Sequence, residues 1–505
     1  MKQFAAIFLL ASALAAGAQT NNIRVMSLQE CFTEALAHNF DVQVERYTPL
    51  VSLYGLHGSY GAYDPVFNFS ATHKFGTEDV TTNLVQISTN QFISLPRTTD
   101  RNNSLQSDLG GALPWGMTYD FAGTVNEGNS TTYYGTNSVN SALDRTSSGS
   151  VEVDLTQPLL KDFWIDNTRL TIRVAKNNYK ASQQKLRQTV IDTITAVENA
   201  YYDLIYARDY VKVQQEALDL AQKQLDDDQQ RVQVGSLAPL DVQQDQAQVA
   251  QSRASLIDAD YKLASSQNAL KNLITDDYKS WHEMDILPSA TMSAVRQHFD
   301  VQDSWNKGMT QRPDLLQSRL DVENQGITLQ FDRNQLFPTL DLKGTFGYAG
   351  NGYTYGDSLG EVRDENRPYY SYGAQFSMPL SNLKARTTLK SDRATLQQKL
   401  LTLKQKEQQV MVDIDNAVKQ AQSAWESVDA TREARSYAEA ALHSEEEKYK
   451  VGKSTTFTVL QLQNKLTTAR SQEISSLAGY NKAVANLAQS EGNTLERRQI
   501  EFQVK

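Results

Sequence analysis

Few residues in this chain could do chemistry, and their spacing does not favour catalysis. The histidines, His38, His57, His73, His282, His298 and His443, stand apart, with no His-Glu-x-x-His spacing to hold a metal. Cys31 is the only cysteine and falls on a helical pattern, so neither a disulfide nor a thiolate metal site is expected. GLHGSYG, Gly55 to Gly61, lacks the Gly-Lys-Ser/Thr end of a phosphate loop and reads as a glycine-bearing turn before a strand. No pocket with perturbed groups is nominated, so the chain is expected to be no enzyme and to carry no cofactor. Carboxylates are what remains. Asp241 and Asp245 lie four residues apart on a similar helix face, where ordinary solvated polarity is one reading. Asp226-Asp227-Asp228 is either an acidic patch or a plain solvated face.

Asp241 follows a sharp break. VQVGSLAPLDV, Val232 to Val242, and YKVGKSTTFTVLQLQ, Tyr449 to Gln463, each set a glycine and a small polar run inside tracts that otherwise read as helix. Glycine takes the left-handed, helix-ending conformation at little cost, so Gly235 and Gly452 mark points where the chain reverses. Pro239 suits the first turn of the following helix, and the second break does without a proline. The breaks are copies: Gly235 pairs with Gly452 and Val242 with Val459. Upstream, a separate constant offset aligns Asp41 with Asp314, Pro65 with Pro338 and Thr72 with Thr345. The chain is an internal duplication. Each copy runs short helix, Pro-marked turn, strands, long helix, glycine break, long helix.

Thr171–Val234 and Ala385–Val451 hold neither proline nor glycine, and a helix of either length would reach about 100 Å. Val190, Ile194, Val197, Tyr201 and Leu204 advance by threes and fours on the first, as do Leu396, Leu400, Leu403, Val410, Ile414, Val418, Ala421, Trp425 and Val428 on the second. That is a coiled-coil seam. Upstream of the first copy's strands, SLQE at Ser27–Glu30 is a capping box that starts a helix. Strands are signalled by period-two alternation at Phe67, Phe69, Ala71 and at Val151, Val153, Leu155. The second copy repeats it at Leu340, Leu342, Phe346, Tyr348 and at Tyr370, Tyr372, Ala374, Phe376, Met378. A soluble sandwich edge and a membrane-barrel wall fit these strands equally. Leu105–Gly123 reads as an extra hairpin around Pro114-Trp115-Gly116, and NEGNSTTYYGTNSVNS, Asn126 to Ser141, as polar loop.

The chain of 505 residues carries a formal charge of −10. Its basic residues are scattered, so no nucleic-acid partner is expected. MKQFAAIFLLASALAAGAQT reads as an export signal with a small-residue cleavage site at Ala16-Gly17-Ala18, too short for an anchor. No later run could cross a bilayer as a helix, although a barrel strand needs only about 10 alternating residues. A single hairpin cannot bury its seam, and a few strands leave open edges. Closure by a cyclic oligomer meets both needs.

LQECFTEALAHNFDV (Leu28–Val42), TQPLL (Thr156–Leu160), RPDL (Arg312–Leu315), FPTLDLKGTFGY (Phe337–Tyr348) and the two breaks, in this order, resemble the TolC-like outer-membrane factor family. Its members are exit ducts of bacterial efflux pumps and type I secretion systems. The resemblance implies a mainly α fold with transmembrane β, a trimeric 12-stranded outer-membrane β-barrel continued by a long periplasmic α-helical barrel. Each chain would give four strands. The implied partners are two further copies in a homotrimer, outer-membrane lipids, a periplasmic adaptor (membrane fusion) protein and an inner-membrane transporter. The implied function is passive export of small molecules; a type I protein-secretion conduit is the alternative, and an exported coiled-coil scaffold the alternative of another class. Phe40 stands where the family usually has a proline after Asn39.

By the same resemblance, the duct narrows at the two breaks. Asp241 and Asp245 are then candidates for the channel constriction. Thr458 and Gln461 fall where the family has an aspartate ring, so acidic charge would have to come from the first copy. Val234, Gly235, Ser236, Leu237, Val451, Gly452, Lys453 and Ser454 are candidates for adaptor docking; turning the helices is the plainer role, and both are compatible. The expected organisation is a signal peptide 1–18, a first repeat 19–275 with strands at about 66–157, and a linker 276–310. A second repeat, 311–492, has strands at about 339–378, and 493–505 is a tail.

Overall fold

The computed structural model describes residues 23–79, 97–133 and 141–501. The expected signal peptide and residues 134–140 of the expected polar loop lie outside the described residues. The first half of the chain runs β1 (Ile23–Met26), α1 (Leu28–His38), α2 (Phe40–Tyr60), a 3-10 turn, β2 (Val66–Asp79), β3 (Arg97–Ala112), β4 (Thr118–Tyr133), β5 (Ser141–Pro158), α3 (Asn167–Gln233) and α4 (Pro239–Ile274). The second runs α5 (Tyr278–Trp281), β6 (Asp285–Pro288), α6 (Val301–Gln311), α7 (Pro313–Asn334), β7 (Thr339–Gly352), α8 (Tyr355–Arg363), β8 (Pro368–Ser377), α9 (Leu383–Lys450), α10 (Thr456–Glu491) and α11 (Thr494–Arg497). The duplication is visible in this order. Where the first copy inserts the β3–β4 hairpin, the second has α8. Among the described residues no helix is long and apolar enough to cross a membrane.

The chain divides into two compact units. One comprises the described residues within Met1–Pro49, Ser182–Gln317 and Lys404–Lys505. Its α1 starts at the expected capping box: Glu30 N–H donates to Ser27 Oγ (3.2 Å) and Ser27 N–H to Glu30 Oε2 (2.6 Å). Asn39 ends α1 and caps α2, its Oδ1 accepting from Asp41 N–H (2.9 Å) and Val42 N–H (3.2 Å). Phe40 therefore sits where a proline would be tolerated but is not needed. Val190, Ile194, Val197, Tyr201 and Leu204 of α3 are wholly buried with Cys31, Phe32, Leu270 and Ile274, as their spacing requires. Tyr201 Oη donates to Met26 O (3.2 Å), and β1 pairs in parallel with β6, tying the chain's first strand to the segment between the repeats. A second seam buries Val410, Ile414 and Val418 with Leu487. Gly308 of α6 packs closely there: a Cβ would meet Ile414 Cδ1, so the Ile414 side chain would have to shift to admit one. The RPDL segment makes an ion-pair knot: Arg312 bonds Asp314 (2.8 Å) and Asp413 (3.4 Å), and Lys406 reaches Asp314 at 3.0 Å.

The other unit comprises the described residues within Leu50–Ala181 and Ser318–Leu403. It holds a six-stranded sheet of order β2-β3-β4-β5-β7-β8, antiparallel throughout. Directly opposed residues share a face. One row runs Phe67, Leu109, Phe121, Val153, Phe346, Tyr370 across every strand; the next row on the opposite face runs Asn68, Asp108, Ala122, Glu152, Gly347, Tyr369. The apolar row is open, with Phe67 66% and Phe346 50% exposed. The polar face carries a ladder of side-chain bonds, including Asn68 to Asp108 (2.7 Å), Ser104 to Asn126 (2.6 Å) and Tyr369 to Glu152 (2.7 Å). It is the concave side, where Lys74, Glu78, Asp100, Asn126 and Thr146 line a hollow of about 1000 Å³. Helix α8 lies against β5 and β7, Ser358 Oγ 2.8 Å from Ser147 Oγ, and Gly350 and Gly352 leave it the room.

Three expectations change. The resemblance implies four strands per chain, and the sheet has six, because the hairpin turning through Leu113–Met117 joins it on both sides. Asn126–Tyr133, expected as polar loop, belong to β4; their backbone is paired with β3 and β5, so the ladder supplies what their side chains do not. GLHGSYG is no turn up to Tyr60 but the end of α2, with Ser59 Oγ donating back to Gly55 O at 2.9 Å.

Candidate functional site

The two glycine breaks are reversals of the same geometry. Gly235 has φ 75° and Gly452 φ 71°. Nothing lies within 4 Å of a Cβ built on either, so backbone conformation and not space selects glycine. Ser236 N–H donates to Arg231 O and Lys453 N–H to Lys448 O, both at 2.9 Å, closing α3 and α9 with the same C-terminal motif. Pro239 takes the first position of α4, and Thr455 caps α10, its Oγ1 accepting from Thr458 N–H at 3.3 Å. Val234 and Val451 are 79% and 68% exposed, with Leu240 and Phe457 also in the open. Each turn thus presents apolar side chains beside its exposed Gly235-Ser236 or Gly452-Lys453, while Leu237 and Ser454 are half-buried.

Just inside the turns, the two hairpins are locked by a carboxylate. Asp228 of α3 is wholly buried, and its Oδ1 accepts from Tyr449 Oη (2.6 Å) while Oδ2 accepts from Thr456 Oγ1 (3.1 Å) and Gln224 Nε2 (2.8 Å). Tyr449 also bonds Thr456 (2.9 Å), and the Arg231 guanidinium lies over the Tyr449 ring at 4.4 Å. Burial, then the Asp228 carboxylate, pushes the Tyr449 phenol up to about 12, so it remains a donor. Leu442, Tyr449, Val459 and Leu466 pack around it with Leu220. Asp245 completes the cluster. It is wholly buried, neither carboxyl oxygen has a donor, and it faces Asp228. Burial first, then the Asp228 charge, raises its carboxyl to about 7. The pair therefore holds a proton where a lone aspartate would have lost it.

The candidate constriction residues are thus separated. Asp241 and Thr458 are half-buried, Gln461 is exposed, and Asp245 is enclosed within the chain and not presented beside Asp241. Asp226 and Asp227 are exposed while Asp228 is not, so the acidic run divides. Asp228, Tyr449 and Thr456 were not singled out by sequence reasoning as a group. The signal was present: Ala221, Leu225 and Asp228 continue the seam by a four and a three. Among the described residues no cluster of three or more His, Cys, Asp or Glu side chains could hold a metal.

The family described as "Outer membrane efflux protein" matches residues 124–275 and 307–493, more than half of the chain. The chain belongs to this family. The outer membrane protein TolC of Vibrio cholerae is 25% identical over 236 residues, which are 46% of this chain and 50% of that protein, so the match spans half of that relative. The pyoverdine export outer membrane protein OpmQ of Pseudomonas aeruginosa is 23% identical over 385 residues, 72% of this chain and 76% of its own. The CmeC outer membrane channel of Campylobacter jejuni has the same fold, with a TM-score of 0.65 at 14% identity, covering 98% of this chain and 94% of that one.

Proposed function

We infer that this protein is the outer-membrane exit duct of a tripartite efflux pump, a passive conduit for small molecules. The observation that carries this reading is the sheet: an open apolar face, a polar concave face, and unpaired strands at both edges. Such a sheet suits lipid on one side and water on the other once copies close it. A homotrimer is the assembly we propose, with the long helices lying in the periplasm.

The turns supply the second element. Val234, Gly235, Ser236 and Leu237, with Val451, Gly452, Lys453 and Ser454, would dock a periplasmic adaptor that links the duct to an inner-membrane transporter. Asp241, Thr458 and Gln461 would line the constriction, Asp241 giving the negative charge that the second repeat lacks. Asp245 would stand behind them, in the lock. The reading is tested in cells. Loss of the protein should raise retention of a fluorescent cationic dye, and cysteines at Ser236 and Lys453 should cross-link to a periplasmic adaptor identified by mass spectrometry. Normal dye efflux without the protein, or capture of no adaptor at either position, would overturn it. Retained dye efflux with lost secretion of a protein would favour the type I conduit.

A further inference from the structure

We propose that the wall of this duct is built from six strands per chain, so that three copies close as an eighteen-stranded barrel. The inference rests on the outer-membrane reading above and concerns which strands meet lipid and which edges meet a second copy. A hairpin inserted into a duplicated fold could hang off the wall as a loop. Here β3 and β4 have the pattern of wall strands. Leu109 and Phe121 lie in the apolar row between Phe67 and Val153, and Asp108 and Ala122 lie in the polar row between Asn68 and Glu152. The apolar face continues through the hairpin in this row and again at Leu105 and Val125 beside Ala71, with the small Ser107 and Gly123 in the row between. The hairpin's backbone is committed as well: β3 pairs with β2 from Val66↔Gly110 to Asp79↔Arg97, and β4 with β5 from Thr118↔Thr156 to Tyr133↔Ser141. Expelling the hairpin would break both ladders and carry Leu105, Leu109, Phe121 and Val125 into water.

The edges identify the occupant as a second copy of this chain. Six strands are fewer than the roughly eight of the smallest membrane barrels, so one chain cannot close on itself. Among the described residues only β2 and β8 have an unpaired side in this sheet, and unpaired backbone does not persist in hydrocarbon. An even number of antiparallel strands makes β2 and β8 run in opposite directions, so β2 of one copy meets β8 of the next as an antiparallel pair. The faces match across that seam: Phe67 and Phe69 end the apolar face on one edge, Tyr370 and Tyr372 on the other.

The test uses the full chain in outer membranes, with single cysteines at Leu109, Phe121 or Phe346 in a Cys31→Ser background and a membrane-impermeant maleimide as probe. Loss of labelling at Leu109→Cys and Phe121→Cys, equal to that at Phe346→Cys, is expected. Detergent-extracted mass should give three copies. Rapid labelling at Leu109→Cys and Phe121→Cys with Phe346→Cys protected would overturn the proposal, placing the hairpin outside a twelve-stranded wall. A two-copy mass would also overturn it. Labelling at all three positions would instead defeat the outer-membrane reading itself, so the two failures are distinct.

Discussion

Replacing Asp245 with asparagine should remove a pH dependence from the locked hairpin turns. Asp245 faces Asp228 from α4, with Asp241 the next nearest acid on its own helix. Asp228 is in turn held by Gln224, Tyr449 and Thr456, with Arg231 4.0 Å away. The Asp245 carboxyl is raised from 3.8 to about 7 by burial and then by Asp228. A group raised in the folded state stabilises it fully below the unfolded value, and the contribution is lost as pH rises through the folded value. The window is therefore from about pH 4 to about pH 7, with the turns tighter at the acid end. Three pH units at 1.36 kcal/mol each set an upper bound of about 4 kcal/mol, reduced by whatever water the opened cluster admits. Asparagine keeps the shape and supplies an amide donor to Asp228 at every pH. Amide hydrogen exchange at residues 225–250 and 445–465, corrected for intrinsic rates, reads the opening. Wild type should open more readily at pH 8 than at pH 5, and Asp245→Asn should show no such slope. Equal slopes in the two proteins would refute the shared proton.

Tyr449→Phe leaves Asp228 short of one charged hydrogen bond and should cost about 1.5–3 kcal/mol, seen as faster exchange at both turns. Gly235→Ala and Gly452→Ala should each cost about 1–2 kcal/mol in thermal melts, from positive φ alone, because neither site is crowded. Burial raises Asp314, but hydrogen bonds from Arg312 and Lys406 outweigh it and hold the carboxyl at about 2. Its contribution is present above the unfolded value of 3.8 and lost as pH falls toward about 2, so Asp314→Asn should flatten that acid limb of the stability curve. Asp241→Asn should weaken cation selectivity in planar bilayers under a KCl gradient, whereas Asp245→Asn should leave the reversal potential unchanged.

Much of this fold is legible from residue periodicity. The seams of α3 and α9 follow from threes and fours because a long helix can hide only one stripe, and Val190, Ile194, Val410 and Ile414 are buried accordingly. The glycine turns are legible for the same kind of reason, since few residues tolerate φ near 70°. Asn126–Tyr133 were not legible as strand. Apolar alternation signals a strand only where one face meets something apolar, and these residues lie beyond the apolar rows, with Asn126 bonded to Ser104 across the polar face. Helix α8 had a sequence mark, the capping box of Thr354 and Asp357, but it is short and sits between two strong strand signals. The lock was hidden in a run of three acids. Charge runs are usually solvated, and only the phase of Asp228 relative to Leu225 distinguishes it from its neighbours.

Duplication explains why the lock has one direction. The repeat separation that aligns Gly235 with Gly452 sets Asp228 opposite Glu445, Val232 opposite Tyr449, Asp241 opposite Thr458 and Asp245 opposite Leu462. Glu445 serves its own turn, accepting from Ser454 Oγ at 2.6 Å and Lys448 Nζ at 2.8 Å. Leu462 packs in the apolar cluster around Tyr449. The position that holds a buried acid in one copy thus holds core hydrocarbon in the other, and the acid's acceptor has become a surface partner. Two identical hairpins would have offered two equivalent locks, or two unpaired acids facing one another. Divergence has given the acceptors to the first copy and the hydroxyl donors, Tyr449 and Thr456, to the second. Within the lock, the Asp228–Asp245 pair retains a conflict of like charge, and a proton resolves it.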